Sequence, residues 1–364
     1  MKYMSEYRDP ELAKKYLEEI KKTVTQPWSI MEVCGGQTHS LVKNGIIEML
    51  PKTVTMIHGP GCPVCVTPLN IIDKAIHLAL EENVILCSFG DMLRVPGSKK
   101  NLLEAKAEGA DIRILYSPLE AVRIAEDNPD KEVVFFAVGF ETTAPANALS
   151  VIHAHRKELK NYSILTSHVL VPPAIKAVID DEESKIDGFL AAGHVCTIMG
   201  NSEYHPLSKT YEVPIVVTGF EPLDVLQGIL MVVRQLEANK AEVENQYARI
   251  VKEEGNPEAQ KMIHQIFEIK NQIWRGIGEI PDSGYQVRPE YGGFDAKRKF
   301  QIEIPEAPEN PDCISGQIMK GLKKPFECSQ FGKKCKPTNP LGAPMVSSEG
   351  ACAAYYHFSG LVEA

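Results

Sequence analysis

Nine cysteines occur in this chain, and seven of them form two groups near its ends. The N-terminal group contains Cys34, Cys62 and Cys65. The C-terminal group contains four widely spaced thiols: Cys313, Cys328, Cys335 and Cys352. Thiolates bind soft metals, ligate iron–sulfur clusters and exchange with disulfides. The two groups therefore indicate a protein whose chemistry involves metals and thiols.

Glycine and proline surround the N-terminal cysteines, in the segments Cys34-Gly-Gly-Gln-Thr-His39 and Gly59-Pro-Gly-Cys-Pro-Val-Cys65. A glycine has no Cβ, so a bulky group such as a metal complex can approach its backbone closely. The spacing of Cys62 and Cys65 is that of redox dithiols and also of metal knuckles. We expect this pair to lie near a helix N-terminus, where the helix dipole favours the thiolate.

The C-terminal cysteines lie in a Pro- and Gly-rich segment with little periodicity. A long irregular segment usually folds around something, and four thiolates can hold an iron–sulfur cluster or a zinc ion. Zinc ribbons commonly use cysteine pairs two residues apart, and the spacings here are wider. Spacing alone does not separate a [4Fe–4S] cluster from zinc, and buried structural thiols are a third alternative.

Composition restricts the class of protein. The chain has 364 residues, more than the roughly 250–300 at which a single core stops growing, so we expect two or three domains. Its net charge of −9 argues against a nucleic-acid partner, which requires a dense row of Lys and Arg. The charged start lacks an apolar signal core, and no run of about 18 apolar residues follows. We expect a cytoplasmic protein without a membrane span, in which cysteines rarely form disulfides.

Short apolar runs alternate with helical patterns from about Ser29 to Thr218, which is typical of a doubly wound parallel sheet. Two halves align at an offset of 104 residues, which places Gly35 on Gly139 and Thr38 on Thr142. The pattern predicts two similar α/β domains that arose by internal duplication. Their expected ranges are 28–130 and 131–235.

We expect the remaining range 236–364, together with the N-terminal helix 1–27, to form a third domain that holds the metal cluster. Charged helical patterns extend to about Arg275, and a loop-rich segment follows from Gly276. The predicted fold class is therefore α/β, with two doubly wound domains and a helical, loop-rich C-terminal domain.

Ligands of doubly wound sheets bind outside the carboxyl ends of the strands. This rule brings Cys34, Cys62, Cys65 and the loop 89–92 to one crevice. The matching strand ends of the second half should line its facing side; they comprise the segment 193–196 and the residues Glu141, Thr142 and Thr143.

The sequence alone does not assign a single role to several histidines and cysteines. His39 follows Cys34 by five residues and is a candidate metal ligand, proton donor or helix-face residue. His58 and His194 are as consistent with a packed, hydrogen-bonded role as with a chemical one. Cys87 and Cys196 lie in apolar surroundings and are expected to be small core residues.

Four motifs together resemble the family of hydrogenase maturation factors called HypD. They are Cys34–His39, Gly59–Cys65, Gly139-Phe-Glu-Thr-Thr-Ala-Pro145 and the closing stretch from Met345 to Tyr356, and they occur in the family's order over about the whole chain. The resemblance implies a scaffold on which the Fe(CN)2CO unit of [NiFe] hydrogenases is assembled. It also implies a complex with the small chaperone HypC and cyanide delivery by HypE.

The resemblance favours a [4Fe–4S] cluster at the four C-terminal cysteines. It also favours Cys34 as the residue that carries the iron, with Cys62 and Cys65 as a redox dithiol. A different class of function is an iron–sulfur-dependent disulfide reductase, in which Cys62 and Cys65 reduce a protein and Cys34 is incidental. A third alternative is a structural adaptor stabilised by a metal. Whether the chain is itself an enzyme stays open.

Overall fold

The computed structural model describes residues 6–304 and 307–360, so the ends of the predicted ranges 1–27 and 236–364 lie partly outside the described residues. The strands are β1 (Trp28–Glu32), β2 (Val54–His58), β3 (Val84–Ser88), β4 (Ile112–Ile114), β5 (Glu132–Gly139), β6 (Tyr162–Val169), β7 (Gly188–Ala192), β8 (Ile215–Thr218), β9 (Val243–Asn245), β10 (Phe267–Trp274) and β11 (Gly278–Val287).

The helices surround these strands. They are α1 (Pro10–Thr23), α2 (Gly35–Lys43), α3 (Ile46–Met49), α4 (Pro63–Val66), α5 (Leu69–Ala79), α6 (Leu102–Ala107), α7 (Pro118–Asp127), α8 (Ala144–Arg156), α9 (Val171–Ile179), α10 (Gly193–Met199), α11 (Tyr204–Tyr211), α12 (Pro222–Glu237), α13 (Pro257–Ile266), α14 (Ala296–Phe300), α15 (Ser315–Met319) and α16 (Ala351–Phe358). Among the described residues, none of these helices has the length and apolar character needed to cross a membrane.

Two sheets dominated by parallel pairing form the framework, and they confirm the α/β class. The first has the strand order β2-β1-β7-β8-β9, and all of its pairs are parallel. The second has the order β10-β11-β6-β5-β3-β4, in which only the pairs made by β11 are antiparallel. Strands β3 and β7 are buried along their whole length, which explains their nearly continuous apolar sequences.

Each sheet takes strands from both halves of the chain. The ranges 28–130 and 131–235 therefore do not each enclose one sheet, because β1 pairs with β7 and β3 pairs with β5. The first four strands begin at 28, 54, 84 and 112, and the next four at 132, 162, 188 and 215, so the separations are 104, 108, 104 and 103 residues. Under this correspondence β2-β1-β7-β8 and β6-β5-β3-β4 have the same order. The internal duplication stays a prediction, which this matching order supports.

The prediction of charged helices up to Arg275 is wrong in two places. Residues 243–245 form β9 at the edge of the first sheet, and after α13 ends at Ile266, β10 and β11 form an antiparallel hairpin at the edge of the second sheet. Positive φ angles of 76° and 116° at Gly276 and Gly278 make the turn of this hairpin. Strand β10 is an edge strand whose polar residues, except the buried Gln272, are partly or wholly exposed, and this polarity conceals the strand in the sequence.

The hairpin is anchored near the N-terminal thiols. The indole Nε1 of Trp274 donates to Ser283 Oγ at 2.9 Å, and the ring lies 6.0 Å from that of Phe140. The next backbone amide, of Arg275, donates to Val66 O at the end of α4 at 2.8 Å. Residues after 236 thus extend the second sheet and fix the helix that carries the dithiol.

The exchange of strands leads to a testable expectation about fragments. We expect residues 28–130, expressed alone, to lack a cooperative unfolding transition, because β1 would lose β7 and β3 would lose β5 as neighbours. Denaturant unfolding followed by circular dichroism measures this. Co-expression of 1–130 with 131–364 is the control and should give a complex that purifies together. A fragment 28–130 that unfolds cooperatively by itself would contradict the interleaved sheets.

Candidate metal and thiol site

Cys34 lies just beyond the carboxyl end of β1, at the N-terminus of α2, where its side chain is 1% exposed. Its Sγ is 3.6 Å from Nδ1 of His194, which stands in the first turn of α10. The two meet because β1 and β7 are neighbours in the first sheet. The strand-end rule thus correctly brought Cys34 together with the segment 193–196.

Burial sets the protonation of this pair. It raises the pKa of the Cys34 thiol far above its usual range, and the nearby carboxylates of Glu32 and Glu349 raise it further. Burial lowers the pKa of His194 to about 4, so its imidazole is neutral at pH 7. A neutral imidazole and a thiol that can lose its proton form a donor pair for a soft metal ion.

Glycines permit three close approaches around Cys34. A Cβ on Gly61 would lie 2.2 Å from the backbone nitrogen of Cys34, and one on Gly35 would lie 2.4 Å from Cβ of Glu349. A Cβ on Gly36 would lie 3.6 Å from the Cys34 sulfur and 3.1 Å from the ring of Phe220. Gly36 therefore lets the ring of Phe220 approach beside the Cys34 sulfur, whereas Gly35 and Gly61 let other chain segments pack closely against the start of α2.

A buried carboxylate that the motif analysis missed holds Cys34 in place. Glu32 is fully buried, and its Oε2 accepts from the Cys34 backbone amide at 2.9 Å. Its Oε1 lies 2.7 Å from His58 Nδ1 and also accepts from the hydroxyl of Thr38. The other ring nitrogen of His58 is 3.2 Å from the hydroxyl of Tyr355 on α16. An acidic residue inside the apolar strand β1 was the available signal in the sequence.

The dithiol occupies the single turn of α4. Cys62 is its N-cap, and the backbone amide of Cys65 donates to Cys62 Sγ at 3.3 Å. Both are free thiols, 4% and 3% exposed. Burial raises the pKa of Cys65 well above its usual range, and the adjacent Cys62 adds to this rise. The expectation that the helix dipole favours a thiolate is therefore wrong for Cys65, because desolvation outweighs one helical turn.

The four C-terminal cysteines line one small cavity of about 20 Å³. Cys335 Sγ accepts from the backbone amide of Leu341 at 3.4 Å, and a Cβ on Gly342 would lie 2.2 Å from Cys313 Sγ. Apolar side chains such as Ile318 and Met345 complete the wall. Four free thiols around an apolar hollow suit a cluster ligated by thiolates alone. Within 6–304 and 307–360, no three His, Cys, Asp or Glu side chains form a ready site for a single metal ion.

The cavity adjoins the dithiol and Cys34. Cys352 of the cavity is close enough to Cys65 for its charge to affect the pKa of that thiol. The loop that leads to Cys352 packs on Gly35 through Glu349, whose carboxylate acts on both Cys34 and Cys65. The structure thus places Cys34 and the dithiol next to the segment that carries Glu349 and Cys352.

The other candidates from the sequence are His39, the loop 89–92, Cys87 and Cys196. His39 Nδ1 lies 3.3 Å from Ser348 O, and its ring makes an edge contact of 5.1 Å with Phe358, so no described contact joins it to Cys34. The loop 89–92 reaches the C-terminal segment through Arg94, whose Nη2 donates to Val346 O at 3.0 Å. The cysteines expected to be core residues, Cys87 and Cys196, are fully buried.

The segment 141–143 makes its described side-chain hydrogen bonds to the residue after β5 and to α9, and none to the Cys34 sulfur. Glu141 is buried, its Oε1 accepts from the Val171 amide at 2.9 Å, and burial raises its pKa to about 8. Thr143 Oγ1 donates to Phe140 O at 3.2 Å, and Thr142 has a buried hydroxyl without a partner among the described residues. These residues join β5 to α8 and α9, and no described contact links them to a ligand position.

Comparison with known proteins agrees with the motifs. The HypD family model, described as the hydrogenase formation hypA family, matches residues 11–359. The chain is 47% identical to hydrogenase maturation factor HypD2 of Bradyrhizobium diazoefficiens, over 98% of this chain and 97% of that protein. It is 47% identical to HypD of Azotobacter vinelandii over 98% and 97%, and 42% identical to HypD of Escherichia coli over 98% of both chains. With its motifs, their order and nearly its full length matched, the chain belongs to the HypD family of hydrogenase maturation factors.

Proposed function

We propose that this chain is the scaffold on which the Fe(CN)2CO unit of [NiFe] hydrogenases is assembled, and that Cys34 carries its iron. The observation that supports this most is the 3.6 Å approach of Cys34 Sγ to Nδ1 of His194 at the carboxyl edge of the first sheet. Thiolate and imidazole are soft and borderline donors, which suit the low-spin Fe(II) that cyanide and carbonyl ligands stabilise. The iron unit is the cargo of this site, not a resident cofactor.

The residues around Cys34 have separate tasks in this proposal. The thiol must lose its proton when iron binds, because the ligand is the thiolate. His194 is neutral and lies within reach of that proton or of the metal. Glu32 fixes the backbone of Cys34 through the bond to its amide, so the sulfur stays at one position on the strand end.

We further propose that Cys313, Cys328, Cys335 and Cys352 hold a [4Fe–4S] cluster and that Cys62 and Cys65 form a redox dithiol. When bound, such a cluster supplies electrons one at a time. The dithiol can release two electrons and two protons as it closes to a disulfide. Its sulfurs lie next to the cysteine-lined cavity, as the influence of Cys352 on Cys65 indicates.

We propose two partners on the basis of family membership. HypC would bind across the crevice and supply further iron ligands, and HypE would deliver cyanide. The proximity of the dithiol to the cysteine-lined cavity also favours a second candidate, an iron–sulfur-dependent thiol–disulfide reductase. In that candidate Cys34 has no chemical part, so a variant at Cys34 distinguishes the two.

We expect Cys34→Ser to abolish the infrared bands of iron-bound cyanide and CO in the complex isolated with HypC. A serine hydroxyl stays protonated at neutral pH and is a poor ligand for this iron. The matched control is Cys87→Ser, since Cys87 is also fully buried but lies in β3, away from the crevice. Bands of full intensity in a folded Cys34→Ser complex would exclude Cys34 as the iron ligand and would favour the reductase.

We expect substitutions at His194 and His39 to lower the iron retained at Cys34 to different extents. His194→Ala should lower the iron retained at Cys34 by about 10–100-fold, the range typical for groups that ligate or orient a metal ligand. His39→Ala should lower it less, because His39 contacts Ser348 and Phe358 instead of the sulfur. Iron content and the cyanide and CO bands are the measurements. A larger loss in His39→Ala than in His194→Ala, with both variants folded, would reverse this assignment.

Metal analysis tests the C-terminal site. We expect anaerobically purified protein to contain iron and acid-labile sulfide in equal amounts, and Cys335→Ser to lose most of both, because Cys335 lines the cavity and is nearly buried. Proteolysis should then cut preferentially after residue 307, since metal binding contributes folding free energy to an irregular segment. Stoichiometric zinc without iron or sulfide would refute the cluster.

A further inference from the structure

A second, larger cavity lies at the C-terminal end of α8. Its volume is about 670 Å³, and it lies between the end of α8, the segment before β6 and the turn Pro289–Phe294 that precedes α14. None of its lining residues lines the cysteine-lined cavity, and none has a described contact with Cys34, Cys62 or Cys65.

Positive charge is concentrated in this cavity although the chain carries a net charge of −9. Its wall contains one carboxylate, Glu158, and four cations: Arg156, Lys160, Arg298 and Lys299. Lys299 is bound to Glu132 and to the carbonyl of Lys160, and Arg298 lies 3.5 Å from an oxygen of Asp295. Arg156 and Lys160 form no ion pair with any residue in the described part of the chain. A concave surface with unneutralised cations attracts anions.

Contacts within the chain fix the shape of the cavity. Lys299 ties α14 to the start of β5 and β6, so the helix cannot swing away without breaking these bonds. The guanidinium of Arg298 lies 3.3 Å from the place of a Cβ on Gly292, and a Cβ on Gly293 would meet nothing within 4 Å. Gly293 thus leaves open space at the cavity wall, whereas the guanidinium of Arg298 lies over Gly292. Beside it, the rings of His155 and Phe294 meet edge to face at 6.0 Å and form an aromatic wall.

We propose that this cavity binds a small phosphomonoester. Arginine bonds to phosphate oxygens in a bidentate manner, and lysine contributes a point charge. The free cations Arg156 and Lys160 would hold the phosphate, and the ring wall would pack against an apolar or aromatic organic part. This site is independent of the metal and thiol chemistry proposed for Cys34, and neither depends on the other.

Calorimetric titration of the full-length, metal-loaded protein with phenyl phosphate tests the site. We expect one saturable site, with a dissociation constant that rises about tenfold or more in Arg156→Gln/Lys160→Gln, because each charged hydrogen bond to a phosphate is substantial. The control Lys21→Gln/Lys22→Gln removes the same charge from the exposed last turn of α1 and should leave the affinity unchanged.

Inorganic phosphate is the second probe, and it should bind more weakly than phenyl phosphate because it cannot use the rings. Arg156→Lys, which keeps the charge, should bind phenyl phosphate better than Arg156→Gln. Circular dichroism should show the fold retained, since Arg156 and Lys160 are exposed. Absence of saturable binding, equal weakening in the α1 control, or equal affinity for the two probes would overturn the proposal.

Discussion

The crevice depends on one buried carboxylate, that of Glu32. Removing such a group from water costs several kcal/mol unless it is well hydrogen-bonded, and here the Cys34 amide, Thr38 and His58 all contact it. Because His58 also reaches Tyr355, the same network extends from β1 to the C-terminal helix. The strand that presents Cys34 and the helix that carries Cys352 are thus positioned by a shared set of polar contacts.

Close backbone packing also positions the chain segments around Cys34. Gly61 lies against Cys34, Gly35 against Glu349, and Gly342 against Cys313, and in each case a Cβ would overlap the neighbour. Side chains cannot be added at these points without moving a backbone segment or a sulfur. The glycines of the motifs therefore serve mainly to bring three distant chain segments together, and Gly36 lets the ring of Phe220 approach beside the Cys34 sulfur.

Local sequence rules predicted much of this arrangement. Physical reasons explain why they did not predict the rest. Apolar runs predicted β1 to β8 but not β9, and the strand-end rule predicted that Cys34 would meet the segment after β7. The constant offset could not show which strands pair, because spacing along the chain carries no information about which sheet a strand joins. The hairpin at 267–287 was missed because its edge position tolerates charged residues. Glu32 was missed because a lone carboxylate in a strand matches no spacing motif.

Burial has a consequence for the metal binding proposed at Cys34. Because the ligand is the thiolate, a metal must displace the thiol proton, and each unit by which the thiol pKa exceeds the ambient pH makes this displacement about 1.4 kcal/mol more costly. The raised pKa of Cys34 therefore couples any metal binding there to the release of a proton. The depressed pKa of His194 acts in the complementary direction, because it keeps the imidazole free of a proton and available beside the sulfur. Burial thus leaves a protonated thiol beside a neutral imidazole at neutral pH.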